Sequence, residues 1–341
     1  MASQQLSGFG SKDNVCLIIL TIFFYSFSVR TKNVYLYNVE ILNSRLKMSK
    51  NNKFKGTGVA LVTPFHRDGS IDFKSLAKLV EHVLKGKVEY LLALGTTGES
   101  VTLSKDEKAA VLSHIVEVTE KRVPVVVGLG GNNTQEILSS LKSYDLDGVD
   151  AILSVSPYYN KPNQRGIYQH YKMIAESSSL PIILYNVPAR TSSNILAETT
   201  LKLAADVKNI IGIKEASGNI EQCMKIIKDK PKDFLVLSGD DMLALPIIAS
   251  GGDGVISVVA NAFPKDFSEM IRQVLCGNLK EAQRLHYKYT SIIEKLFADG
   301  NPAGVKATLE ILKICPPFLR LPLVKVNKKT QYGIAEFLAN M

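Results

Sequence analysis

The chain has no tryptophan, only four cysteines and only five histidines in 341 residues. Cys16, Cys223, Cys276 and Cys315 stand far apart, with no C-x-x-C pair and no histidine at metal-ligand spacing. That pattern supports neither a disulfide framework nor a zinc site, and reduced packing thiols of a cytosolic protein account for it. The histidines form no H-E-x-x-H cluster, so a metal enzyme is not indicated either. A run long enough for a membrane span, about 20 residues, is also missing from the apolar stretch Val15–Val29, which stops at 15. It has the length of a signal-peptide core, but only Lys12 precedes it among basic residues and no small-x-small cleavage site follows before Arg30. Met48 opens MSKNNKFKGTGVALVTPF, a polar start that runs straight into a first strand. Residues 1–55 are therefore expected to be an N-terminal extension, disordered or preceding a misassigned start, with no membrane anchor.

Acidic charge is scarce only in that leader. Of the formal net charge of +9, residues 1–55 contribute +6 and the remaining 286 residues only +3. No basic stripe with interleaved aromatics stands out, so no nucleic-acid partner is expected. What remains is 46% hydrophobic and 21% charged overall, the balance of a globular protein with a sizeable core.

One pattern repeats from Gly58 onward: a short apolar run, a turn, then a segment of helical period. The runs are residues 58–64, 90–95, 123–130, 150–157, 181–188, 210–215, 234–240 and 254–260, eight in all. Continuous rather than alternating apolar runs suit parallel strands covered on both faces. Between them Ser104-Lys105-Asp106-Glu107 reads as a capping box opening a helix to about Lys121, and Asn219-x-x-Gln222 opens another. Residues 71–85 place Ile71, Leu76, Leu79, Val80 and Val83 on one face. Eight such units fill the roughly 200–250 residues of an α/β protein of the (β/α)8 TIM-barrel class. A doubly wound sheet would favour a glycine-rich phosphate turn after its first strand, where this chain has TPFHRDG. Residues 280–297, 302–314 and 330–339 read as three more helices. The expected organisation is a catalytic barrel over 56–278 and a C-terminal three-helix appendage over 279–341.

In such a barrel the chemistry lies at the C-terminal ends of the strands. Those ends carry Thr96 and Thr97 (GTTGES), Tyr158 and Tyr159 (SPYYN), Tyr185 and Arg190 (YNVPART), Lys214 and Glu215 (IIGIKE), and Asp240-Asp241. Most have ordinary explanations. The threonines suit a turn, Tyr158 and Tyr159 suit rim packing, Arg190 suits a surface, and Asp240-Asp241 suits the cap and first turn of a helix starting at Met242. Lys214 does not fit so easily. Structural lysines snorkel to water from a strand's edge, whereas this one follows Ile213 in mid-barrel. Burial favours the neutral amine of a lysine, and a neutral amine attacks a ketone to give a Schiff base whose protonated imine is an electron sink. That chemistry needs no metal and no organic cofactor. It needs a proton shuttle, for which Tyr185 with the Thr96/Thr97 hydroxyls has the right groups.

The motifs GTGVALVTPF, GTTGES, SPYYNKP, YNVPART, IIGIKEASG, SGDD and GGDGVISV, in this order, resemble the dihydrodipicolinate synthase family from about Phe54 to the C-terminus. The resemblance implies a class I, Schiff-base lyase of the cytoplasm. Such an enzyme condenses pyruvate with L-aspartate 4-semialdehyde, the first committed step towards diaminopimelate and lysine. It implies that Lys214 forms the imine, and that Tyr185, Thr96 and Tyr159 relay protons, with Tyr159 reaching a neighbouring subunit. Thr97 and the backbone at Ile256 would hold the pyruvate carboxylate, and Arg190 the carboxylate of the semialdehyde. It further implies self-association, commonly as a homotetramer built as a dimer of dimers. Sister enzymes such as N-acetylneuraminate lyase share the barrel and the lysine; Arg190 and GTTGE rather than GSTGE favour the synthase. Asn132, Glu136 and Tyr158 match positions that bind allosteric lysine in sensitive members. Lys105 and Lys108 stand where those members often carry histidines, and two cations there weaken a site for cationic lysine.

Overall fold

Strands that are apolar on both faces must be covered on both faces, and this chain meets that requirement by closing its sheet on itself. The computed structural model describes residues 50–341; the apolar run 15–29, Cys16 and both candidate start positions lie outside the described residues. The strands are β1 (Gly56–Ala60), β2 (Tyr90–Ala93), β3 (Val125–Gly128), β4 (Ala151–Val155), β5 (Ile182–Asn186), β6 (Ile210–Glu215), β7 (Leu235–Ser238) and β8 (Gly254–Ser257). They pair in parallel in chain order, and β8 returns to β1, with Gly56 opposite Gly254 and Gly58 opposite Ile256. This is the expected (β/α)8 barrel. Every strand but β6 is shorter than its apolar run, because the last residues of those runs leave the ladder to build the rim.

The outer layer holds α1 (Phe73–Lys85), α2 (Lys105–Thr119), α3 (Thr134–Ser143), α4 (Gln164–Glu176), α5 (Pro188–Thr191), α6 (Ala197–Asp206), α7 (Ile220–Asp229), α8 (Ala244–Ala249) and α9 (Pro264–Leu275). Their starts are written locally. Ser104 and Glu107 form the reciprocal capping box of α2, and the Asn219 side chain accepts the Gln222 N–H at 3.0 Å to open α7. Such caps contribute about 1 kcal/mol each. In α1 the buried residues are Leu76, Leu79, Val80 and Val83, the face expected from spacing. The C-terminal helices are α10 (Leu279–Ala298), α11 (Ala303–Ile311) and α12 (Lys328–Ala339). They dock through an aromatic cluster of Phe263, Tyr289 and Phe337, and residues 51–341 form one compact unit. Among the described residues no helix is long and apolar enough to cross a membrane.

Two apolar cores result. The larger fills the space between strands and helices; the smaller fills the barrel and includes Phe54, Tyr90, Leu92, Ile183, Tyr185 and Ile256. Lys50–Phe54, counted with the leader above, is a short 3-10 helix, and Phe54 meets Tyr90 edge to face at 5.7 Å to close the N-terminal end of the barrel. One irregularity matters for the site. Ile182 pairs with Ile210 but Ile183 with Gly212, so Ile211 is an extra residue in β6. Such a bulge resets which side chains face inward.

At the N-terminal end of β8, Asp253 is buried and accepts from Lys230 Nζ at 2.8 Å and the Val236 N–H at 3.0 Å, with Lys55 Nζ also at 2.8 Å. Burial pushes this carboxyl up, but the bonds from Lys230, Lys55 and Val236 outweigh it and hold the group below its ordinary value. A carboxyl lowered on folding adds stability above its unfolded pKa, and that contribution fades as pH falls through the folded value. Asp253→Asn is expected to cost about 2–4 kcal/mol at neutral pH by leaving Lys230 half-paired. The gap to the parent protein should narrow below about pH 4. Urea unfolding across pH measures both.

Candidate active site

The bulge in β6 puts Lys214 opposite Tyr185 of β5 in the ladder. Residues paired across adjacent strands share a face, and Tyr185 belongs to the barrel interior, so the lysine points in as well. Its Nζ lies 4.4 Å from the centre of the Tyr185 ring. Lys214 is 5% and Tyr185 7% exposed. Among the described residues no carboxylate pairs with the amine. The stem of the lysine passes Gly239, just after β7, where a Cβ would meet Lys214 Cε at 2.9 Å and Ala216 Cβ at 2.7 Å. Only glycine leaves that path open.

Alternation sends the neighbours of both residues the other way, and they form a network behind the site. The Asn186 amide donates to both oxygens of Glu215, at 3.0 and 3.1 Å, and to Asn194 Oδ1 at 2.8 Å. Glu215 also accepts from Gln222 Nε2 and the Ser217 N–H, both at 2.9 Å. Asn186 Oδ1 in turn accepts the Ile195 N–H at 2.9 Å. A 1%-exposed carboxylate is thus satisfied by neutral donors, as a buried charge requires. The network ties the ends of β5 and β6 to the segment carrying Arg190, which is exposed on α5.

Thr96 and Thr97 lie on the turn after β2. Thr97 is buried, and its Oγ1 accepts from Asn301 Nδ2 at 2.9 Å; Thr96 is open to solvent. Asn301 itself is buried, with Oδ1 unpartnered. Ile256, fully buried on β8, supplies backbone beside β1. The turn that follows it is anchored by Asp241, whose carboxylate accepts from Ser257 Oγ at 2.5 Å and from the Val258 and Val259 N–H groups at 3.0 and 3.2 Å. This corrects the reading of the aspartate pair. The helix starts at Ala244 rather than Met242, and Asp240 alone caps its approach, accepting from Met242 and Leu243. Asp241 is interior, and burial raises its carboxyl to about 6.

Tyr159 is set apart from the other rim residues. It is 89% exposed and holds a φ of +71°, a backbone state that costs a non-glycine residue about 1 kcal/mol or more. Tyr158 beside it is partly exposed, and its carbonyl accepts from Asn132 Nδ2 at 3.1 Å. Glu136 lies exposed on α3, where its charge bears on Tyr144, whose phenol is raised by burial and then by Glu136. Lys105 and Lys108 are in the first turn of α2, and Lys108 borders a groove with Tyr144, Asp145 and Asp147. Among the described residues no group of three His, Cys, Asp or Glu side chains is placed to hold a metal ion.

Gly239, Asn301, Asn186 and Gln222 are not marked by the sequence as parts of a site, whereas Glu215 and Asp241 stand at strand ends but carry there no role beyond the helix start assigned to Asp241. Part of the signal was present: YN and KE each put a polar residue beside an inward one, on the face that must find partners elsewhere.

The arrangement offers a dry primary amine against a phenol, with hydroxyls, backbone donors and a cation around the same rim. Gly239→Ala is expected to leave the fold intact and, with Lys214 in the imine-forming role that the resemblance implies, to slow its reaction with a 2-oxo acid by at least about 10-fold, since displacing a reacting atom by a fraction of an ångström is that costly. Stopped-flow absorbance of imine formation, with circular dichroism as the folding control, checks it.

The sequence model of the dihydrodipicolinate synthetase family matches residues 53–341. The 4-hydroxy-tetrahydrodipicolinate synthase of Flavobacterium psychrophilum is 56% identical over 275 residues, covering 81% of this chain and 94% of that one. The crystal structure of dihydrodipicolinate synthase from Thermotoga maritima superposes with a TM-score of 0.82 at 41% identity, over 84% of this chain and 98% of that one. The Acinetobacter baumannii enzyme, solved as a complex with pyruvate, gives a TM-score of 0.81 at 40% identity over the same shares. With the match spanning the whole barrel and the helices that follow it, the chain belongs to the dihydrodipicolinate synthetase family.

Proposed function

We propose that the protein condenses pyruvate with L-aspartate 4-semialdehyde to 4-hydroxy-tetrahydrodipicolinate. The observation that carries this reading is the Lys214 amine held 4.4 Å from the Tyr185 ring inside the barrel. Relatives that cover nearly their full length bear the corresponding enzyme name, and one of their structures holds pyruvate.

The chemistry follows from the groups present. Lys214 Nζ attacks the ketone carbon of pyruvate; the carbinolamine loses water to give an imine, whose carboxylate meets Thr97 and the backbone at Ile256. The protonated imine draws electrons from the methyl carbon, which gives up a proton and becomes a nucleophilic enamine. That carbon bonds to the aldehyde of the second substrate, whose carboxylate pairs with Arg190. The amino group of the semialdehyde then attacks the imine carbon, closing the ring and releasing Lys214. One water leaves overall. Every stage moves a proton, and Tyr185 with Thr96 and Tyr159 forms the relay. The outward, left-handed Tyr159 supports a reading in which it completes the relay of a second copy, in a dimer and then a dimer of dimers. A biosynthetic role of this kind belongs in the cytoplasm.

Tyr185→Phe is expected to lower kcat by about 10²–10⁴-fold, the usual worth of a positioned acid–base group. Turnover of the semialdehyde with pyruvate, against no turnover of N-acetylneuraminate, checks the substrate assignment; the reverse preference would contradict it. Mixing inactive Tyr159→Phe and Lys214→Ala proteins should restore activity through hybrid dimers, and no restoration would remove Tyr159 from its partner's site.

Asn132, Glu136 and Tyr158 we read as a weak lysine site, opposed by the charges of Lys105 and Lys108. Steady-state rates should show little inhibition by sub-millimolar lysine, and Lys105→His with Lys108→His should strengthen it.

A further inference from the structure

The turn that carries Thr96 and Thr97 is held from outside the barrel by a buried ion pair. Glu99, three residues past Thr96, and Lys306, on α11, are both fully buried, with Lys306 Nζ 2.5 Å from Glu99 Oε1. The other carboxylate oxygen accepts the Arg320 N–H at 3.1 Å, and Lys306 also donates to the Phe318 carbonyl at 2.8 Å. The Phe65 ring carries Lys306 at 4.3 Å and the Arg320 guanidinium at 4.7 Å. Arg320 extends the grip by donating to Gly69 O, Thr102 O and Glu107.

Such a pair is a poor way to gain stability. Removing both charges from water costs about as much as their attraction returns, and well-packed apolar residues do as well. The backbone it fixes is also strained: Glu99 has a φ of +53°. A left-handed conformation at a non-glycine residue persists only where the surroundings impose it. What that conformation achieves is local. The Glu99 N–H donates to the Thr96 carbonyl at 3.1 Å, and Gly98 donates to Gly95 at 3.1 Å, closing the turn. Thr63 Oγ1 donates to the Gly98 carbonyl at 2.7 Å and fastens the turn to the end of β1. The same C-terminal segment grips the turn a second time, through Asn301 Nδ2 on Thr97 Oγ1.

We propose that Lys306 and Glu99 are positioning residues for the Thr96–Thr97 turn, so that the C-terminal helices set the geometry of a catalytic turn at the barrel rim. The proposal rests on the reading of Thr96 as a relay group and Thr97 as a pyruvate-carboxylate ligand. The pair touches neither substrate; it acts through the backbone of Glu99.

The experiment is a double-mutant cycle. Lys306→Met alone leaves a buried carboxylate unpaired and can compromise folding, so the deciding variant is Glu99→Gln with Lys306→Met, which removes both charges and retains side-chain volume. This neutral pair and Thr96→Val are made singly and together, and each is assayed for kcat, for KM of both substrates, for borohydride-trapped pyruvate on Lys214, and for Tm. The neutral pair is expected to lower kcat on the order of 10–100-fold and to raise KM for pyruvate, a displacement effect of ordinary size. It should leave KM for the semialdehyde within about 2-fold, trap pyruvate on Lys214, and add little to the kcat loss of Thr96→Val. A folded neutral pair with parental kcat and pyruvate KM would overturn the proposal, as would losses that add in full to those of Thr96→Val. If Thr96→Val is itself neutral, the relay reading fails rather than the ion pair, and a pyruvate KM still raised in the neutral pair would then confine the pair's action to Thr97. A neutral pair that does not fold would show the ion pair to be a stability element, which also contradicts the proposal.

Discussion

A primary amine enclosed in a barrel beside a phenol is the constraint around which this structure is arranged. Keeping an amine there without a carboxylate partner is unfavourable unless the walls are rigid and the surrounding polar groups are satisfied among themselves. The closed eight-strand sheet gives the rigidity, since a barrel has no edge to fray. Satisfaction comes from the face turned away from the amine, where Glu215 is held by Asn186, Gln222 and the Ser217 amide. Lys214 and Glu215 are adjacent in sequence, but the pleat keeps the carboxylate off the interior face.

The same division between inside and outside explains the role of the C-terminal helices. They add no strand and do not close the barrel, but they reach the rim at two places, Thr97 through Asn301 and Glu99 through Lys306. Conserving stability would not require a dry ion pair there. Holding a short loop in one conformation does, because a turn of a few residues has little packing of its own with which to resist alternatives.

Much of the fold was legible because its rules are local. Eight continuous apolar runs, the Ser104–Glu107 box and the Asn219 cap each specify their element within a few residues, and the strands and helices appear where those signals place them. Lys214 was legible for the opposite reason: it contradicts its surroundings. Other parts were not. Asn301 lies 204 and Lys306 207 positions from their partners on the second strand's turn, and no periodicity encodes a contact that exists only once the barrel has closed. Gly239 has no local mark of its role, which comes from the lysine stem that passes where its Cβ would be. The bulge at Ile211 has no local mark either; counting inward positions from Ile210 by strict alternation would have turned Lys214 out of the barrel. Asp241 was misread because a paired aspartate before a helix ordinarily caps it, whereas here one of the two is needed to fasten the turn after Ile256.

The proposed mechanism stands on Lys214 being the amine that becomes covalently bound to the substrate. Incubating the protein with pyruvate, reducing with borohydride and mapping the peptides by mass spectrometry tests it directly. A reduced pyruvate adduct is expected on the peptide containing Lys214, and none without pyruvate. An adduct on a different lysine, or an active enzyme that traps no adduct at all, would contradict it.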